Sequence, residues 1–184
     1  MKSLTAVDET FYSQLKQTLA AAPTDDKLFQ SVVDSPFKDR RLTTALGMGF
    51  ISFVLVNPKT KTVDRIAISK TDTAQGALDI TIKPFRELIV PVTYKGNSVV
   101  EAIRSGRYQQ TNDWYYLLTP TLKPEEARMN QAGAGIASSY VYPLIKTRHG
   151  GALIFQFFIP LNQIGQVQRD FMFRYTKLVS DALR

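Results

Sequence analysis

Residues 135–159 read Gly-Ile-Ala-Ser-Ser-Tyr-Val-Tyr-Pro-Leu-Ile-Lys-Thr-Arg-His-Gly-Gly-Ala-Leu-Ile-Phe-Gln-Phe-Phe-Ile. Two apolar runs flank a polar turn. Ile136, Tyr140, Val141, Tyr142, Leu144 and Ile145 form the first run; Leu153, Ile154, Phe155, Phe157, Phe158 and Ile159 form the second. Both are rich in the aromatic and β-branched side chains that suit a pleated surface, and residues 146–151 supply the turn. The stretch predicts a central antiparallel hairpin, buried over much of both faces.

Working outward, residues 50–56 and 62–69 form a second hairpin signal around Asn57-Pro58-Lys59-Thr60-Lys61. Upstream, Leu4, Val7, Phe11, Leu15, Leu19 and Ala22 recur at helical spacing, so residues 4–22 read as an amphipathic helix. Thr24 or Asp25 caps a second helix carrying Leu28, Phe29, Val32 and Val33, and residues 37–46 resume as helix before Gly47 and Gly49. Residues 70–97 hold Pro84 and Pro91, which forbid a long central strand, and read as an irregular crossing segment. Asn97 or Ser98 caps a short helix over 99–105, closed by Gly106, and Ser98 with Glu101 matches a capping box. Residues 107–111 read as a short strand, 112–116 as an aromatic loop or helical turn, and 121–131 as a helix with Pro124 in its first turn. The last helix carries one apolar stripe, Ile164, Val167, Phe171, Tyr175, Leu178 and Ala182, widened by Met172, Val179 and Leu183.

The 184 residues are 44% hydrophobic and 21% charged, as in an ordinary globular domain. No apolar run approaches the roughly 20 residues of a membrane-spanning helix, and Met1-Lys2 opens no secretory pattern. A cytoplasmic location is the simplest expectation. The net charge of +7 comes from 23 basic and 16 acidic residues scattered along the chain, so a solvated mixed surface is expected rather than a nucleic-acid interface. The chain has no cysteine, which removes disulfides, thiol catalysis and cysteine metal sites.

The order of elements, and several short motifs within it, resembles a GAF domain. Residues 49–56 and 62–69 look like that family's opening hairpin. Residues 96–108, Gly-Asn-Ser-Val-Val-Glu-Ala-Ile-Arg-Ser-Gly-Arg-Tyr, are similar to its short helix ending "ETGEPV". Asn112-Asp113 stands where a polar pair is frequent. Residues 138–144 with Pro143-Leu144 look like its "SxLxVPL" strand, and Gly151-Ala152-Leu153 like its "GVL" strand start. The resemblance covers residues 25–184, leaving 1–24 as an N-terminal amphipathic helix. It implies an α+β fold: a central, mostly antiparallel sheet, terminal helices on one face, and short helices and loops enclosing a pocket on the other. A PAS-like or roadblock-like fold is the nearest competitor; the long 70–97 segment favours the GAF order.

The resemblance implies a sensory or dimerisation module of a signalling protein. The Asn-Lys…Phe…Asp-Glu signature of the cyclic-nucleotide subset is absent, since Phe85-Arg86-Glu87 is no match. Bilin attachment needs a cysteine. The free-methionine sulfoxide reductases of this fold need cysteines too, so the chain is expected not to be an enzyme, and no cofactor or metal is called for. The only histidine, His149, falls in the predicted turn and reads as solvated.

The aromatic cluster Tyr108, Trp114, Tyr115 and Tyr116 is the strongest ligand signal, because aromatics with a polar tip suit a pocket for a planar or cationic molecule. With the resemblance, the candidate ligand-binding set is Phe53, Asn97, Ser98, Tyr108, Asp113, Trp114, Tyr115, Tyr116 and Tyr140. The stripe on the last helix is wider than one sheet needs, so Phe11, Leu15, Phe171, Met172, Leu178 and Val179 are candidate dimer contacts. No stop signal precedes Arg184, which points to an adjoining signalling domain. The expectation is a homodimeric, non-catalytic sensory module that binds a small molecule or a partner and signals through paired terminal helices. The alternative is a free-standing protein–protein interaction domain without a ligand.

Overall fold

The computed structural model describes residues 7–184. The central hairpin is β5 (Ser138–Pro143) and β6 (Gly151–Phe157), with Tyr140 opposite Phe155 and Tyr142 opposite Leu153. Every residue in both strands is buried. Leu153, Phe155 and Phe157 enter one hydrophobic core, while Ala152, Ile154 and Gln156 face the other. The alternation inherent in a strand is therefore masked in the sequence, because both faces are covered. Gly151 starts β6 where nothing larger fits: an added Cβ would lie 2.6 Å from the Val54 carbonyl oxygen.

The second hairpin is β1 (Met48–Asn57) and β2 (Thr62–Ile68). Two short strands, β3 (Val90–Pro91) and β4 (Gln109–Thr111), complete a six-stranded sheet of order β3-β2-β1-β6-β5-β4, antiparallel throughout. A bulge opposite the Phe53–Val54 step leaves Ile66 unpaired. It separates Ala67, which joins one core, from Val63 and Arg65, which face the other.

One face carries α1 (Glu9–Ala20), α2 (Asp25–Asp34), α3 (Arg40–Leu46) and α8 (Gln166–Ala182). Asp8 caps α1 through the Thr10 N–H, Thr24 caps α2, and Asp39 caps α3. The expected start of the first helix, including Leu4, lies outside the described residues. Phe155 sits at the centre of this layer with its ring against Tyr142, Phe171 and Tyr175. The Tyr175 hydroxyl donates to the Val32 carbonyl at 2.6 Å.

Much of the wide stripe on α8, expected to pair with a second copy, packs within the same domain. Phe171, Met172 and Val179 are fully buried, and so in effect is Leu15. Phe11 is half-buried against Phe171 and Tyr175, and Leu178 packs on the same core. The physical reason is that α8 touches both α1 and β5, so apolar side chains are needed over a broad arc. The large apolar group it shows outward is Phe173, 62% exposed.

The other face is covered by α4 (Asp72–Ile80), α5 (Ser98–Ser105), α6 (Tyr115–Leu118) and α7 (Pro124–Gly133). The 70–97 segment is thus not irregular throughout. Thr71 accepts from the Ala74 N–H and starts α4, whose Ala74 and Ala77 are buried. Asn97, not Ser98, caps α5, and Glu101 bonds Arg104 instead of closing a capping box.

Burial of phenols gives this core a pH limit. Desolvation pushes Tyr12 and Tyr142 up to about 12, and burial raises Tyr175 well above its ordinary value. These groups keep their protons in the folded state longer than in the unfolded one. The stability they contribute is complete below pH 10, the ordinary phenol value, and is lost as pH rises toward 12. Circular dichroism is expected to show alkaline unfolding in that window, coincident with phenolate absorbance. Phenols that titrate below it with the fold intact would contradict this.

Candidate functional site

Between the sheet and its α4–α7 cover lies a cavity of about 50 Å³. Its floor is the sheet: Phe50 and Ser52 from β1, Arg65 from β2, Gln156 from β6. Its walls come from α4 and the crossing segment (Ala77, Leu78, Thr81, Phe85, Leu88) and from Trp114, Leu117, Leu118 and Asn130. After α4, Pro84 leads into a 3-10 turn over Phe85–Glu87 that packs beside β2 and sets Phe85 and Leu88 in the cavity wall.

Trp114 is fixed on three sides. Its backbone N–H donates to Gln131 Oε1 at 2.8 Å, and Gln131 Nε2 donates to the Asn112 and Ile136 carbonyls. Its indole Nε1–H is shared between Ser139 Oγ and Gln156 Oε1, each at 3.1 Å. Its ring meets Phe50 edge-on at 6.1 Å. This indole is a rigid wall.

Arg65 is the only charged side chain lining the cavity. It is 6% exposed. Nε donates to the Leu88 carbonyl at 3.1 Å and Nη2 to the Leu117 carbonyl at 3.0 Å, and the guanidinium stands 5.9 Å from the Phe85 ring centroid. Among the described residues no carboxylate forms an ion pair with it. Desolvation alone lowers its pKa to about 10, so it is charged at neutral pH. The Thr81 hydroxyl is buried without a hydrogen-bond partner.

Of the candidate ligand residues, Trp114 lines this cavity. Tyr115 packs against the same core from outside, and Tyr116 is about half exposed. Asn97 is fully buried with its amide engaged: Oδ1 accepts from Val99 and Val100 N–H, and Nδ2 donates to the Thr119 carbonyl. Ser98 is the first residue of α5. Asp113 accepts from Arg128 at 2.7 and 2.9 Å and from the Tyr115 N–H. Phe53 and Tyr140 lie on the opposite face of the sheet, packed on Phe29 and Phe157. Tyr108 stacks on Tyr142 at 5.3 Å beside α8.

That stack borders a second, open groove of about 650 Å³ shared with Ile145, Phe173 and Lys177. His149 is exposed in the β5–β6 turn. Sequence reasoning missed Arg65, Ser52, Thr81, Asn130 and Gln156. The signal for Arg65 was present: it follows Val63 by two residues, so a charge occupies a core-facing position of β2.

No protein-family model matches the sequence, and no curated protein matches it. Solved structures do match. The GAF domain of an Acinetobacter phosphoenolpyruvate-protein phosphotransferase superposes with a TM-score of 0.64 at 9% identity, over 96% of this chain and 94% of that one. The GAF domain of the Coxiella burnetii phosphoenolpyruvate-protein phosphotransferase gives 0.61 at 15% identity, over 94% and 90%. The free methionine-R-sulfoxide reductase of Neisseria meningitidis, solved with its substrate, gives 0.54 at 14% identity, over 98% and 93%.

The fold is GAF-like. Identities this low show the fold alone. The third likeness corrects one expectation. The reductase is an enzyme on this same framework, so the reading of the chain as not an enzyme does not stand. The physical reason is that the fold itself is indifferent to whether a bound molecule is reacted upon or only held. No helix among the described residues is long and apolar enough to cross a membrane.

Proposed function

We propose that this chain is a small-molecule-binding, GAF-like module of signalling type, with its ligand in the cavity beneath the α4–α7 cover. The observation that supports this most directly is the cavity itself, where the Arg65 guanidinium, the Thr81 hydroxyl and the Trp114 indole converge between apolar walls. An apolar recess with a few converging polar groups is the usual form of a small-molecule site. Occupancy would press on Leu117 and Gln156, and β6 carries that displacement to Phe155 and so to Phe171 on α8.

The chain's single tryptophan makes the test direct. A screen of small metabolites against intrinsic fluorescence, with native mass spectrometry for stoichiometry, is expected to find compounds that shift Trp114 emission saturably and raise the melting temperature. A screen in which neither responds would reject the reading.

A second reading, a protein-interaction module, is favoured by the groove beside α8, where Tyr108, Ile145 and Phe173 are each about half exposed or more. Self-association that is abolished by Phe173→Asp, with an unchanged melting temperature, would support it.

A further inference from the structure

Arginine side chains are rarely buried without an anionic partner, because desolvating the cation costs several kcal/mol. Arg65 departs from that rule. Its guanidinium has five N–H donors. One on Nε and one on Nη2 reach the Leu88 and Leu117 carbonyls. Nη1 and the second Nη2 hydrogen are left as donors, and planar guanidinium donors of this kind match a carboxylate. Asp64 and Asp72, the nearest acids along the chain, form no ion pair with it among the described residues.

An unpartnered hydroxyl lies at the same cavity. The Thr81 hydroxyl, contributed by the end of α4, is buried with no partner. An unpartnered buried hydroxyl beside an arginine with donors to spare, on one small cavity, asks for one polar ligand. Size and wall chemistry narrow it further. A water needs about 10–15 Å³ on this measure, so a cavity of about 50 Å³ holds roughly four water-sized positions. Phe50, Leu88, Leu117 and Leu118 give it apolar walls, suited to a methyl or ethyl group rather than a second charge.

We infer that Arg65 anchors a short monocarboxylate, of acetate to propionate size, in this cavity, with the Thr81 hydroxyl donating to the same carboxylate. The inference rests on the proposed ligand cavity and deepens it by assigning the ligand's charge and size.

The test titrates the 184-residue chain with sodium acetate and sodium propionate, against propionamide as the neutral isostere and sodium chloride and nitrate at equal ionic strength. Trp114 fluorescence and the melting temperature are read together. Propionate is expected to act saturably and at least tenfold more tightly than propionamide, with chloride and nitrate inert. Arg65→Met should abolish the response with a wild-type circular dichroism spectrum. Thr81→Val should weaken it severalfold without lowering the ligand-free melting temperature.

Propionamide binding as tightly as propionate would leave the cavity reading standing and overturn the assignment, reducing Arg65 to a clamp between two loop carbonyls. A chloride or nitrate response equal to that of propionate would overturn the carboxylate. Silence from every probe at Trp114 would overturn the inference and count against the cavity as well. If Arg65→Met fails to fold, the propionate–propionamide ratio on the unaltered protein and the Thr81→Val variant still decide.

Discussion

Phe155→Ala is expected to lower stability by about 3–5 kcal/mol, the range for truncating a fully buried phenylalanine. Phe155 has no exposed surface and sits on the central strand β6. Its ring is the meeting point of three others: Tyr142 from β5, and Phe171 and Tyr175 from α8. Few neighbours can collapse into the void, because Tyr175 is tied to the Val32 carbonyl and Phe171 already packs on Phe11. A domain this size holds about 5–15 kcal/mol in total, so the loss consumes much of it. Urea unfolding followed by circular dichroism checks this. A loss below about 1.5 kcal/mol would mean that α8 does not rest on the sheet through this ring.

Trp114→Ala is the second large effect. It removes a buried indole and should also cost about 3–5 kcal/mol. The informative control is Trp114→Phe. It keeps a ring against Phe50 and gives up only the Nε1–H contacts to Ser139 and Gln156. Those two side chains also hydrogen-bond each other, so neither is stranded, and the loss should stay near 1 kcal/mol. If both variants lost the same stability, the indole N–H rather than its bulk would be organising the cover. Trp114→Ala also enlarges the cavity and should admit ligands too large for the native protein.

The central hairpin was readable from its own composition, because residues 138–143 and 151–157 are buried on both sides and carry no competing helical signal. α4 was hidden by its content. Gly76 and the two small residues Ala74 and Ala77 make a weak stripe, and the prolines downstream dominate the segment. The width of the α8 stripe was real, but a stripe records how much a helix buries and not against what. α1, close in space and remote in sequence, takes up part of that stripe.

The aromatic cluster was legible as a feature but not as a site. Adjacent residues of a short helical turn point in different directions, so Trp114 faces the cavity while Tyr116 faces solvent. Arg65 was overlooked because the apolar residues Ile66 and Ile68 drew attention to the alternate positions of β2, although its two-residue step from Val63 marked it.

The two outermost strands, β3 and β4, span two and three residues. One of the two in β3 is Pro91, which has no N–H to offer. Neither outermost strand is itself long enough to template another chain, although β3 pairs only Thr62 and Val63 of β2. Strand addition onto β3 or β4 is disfavoured, and with it one common route by which β-rich domains assemble by accident. A macromolecule that docks on the helices or across the groove is read through side chains, where single substitutions can tune the encounter without disturbing the sheet.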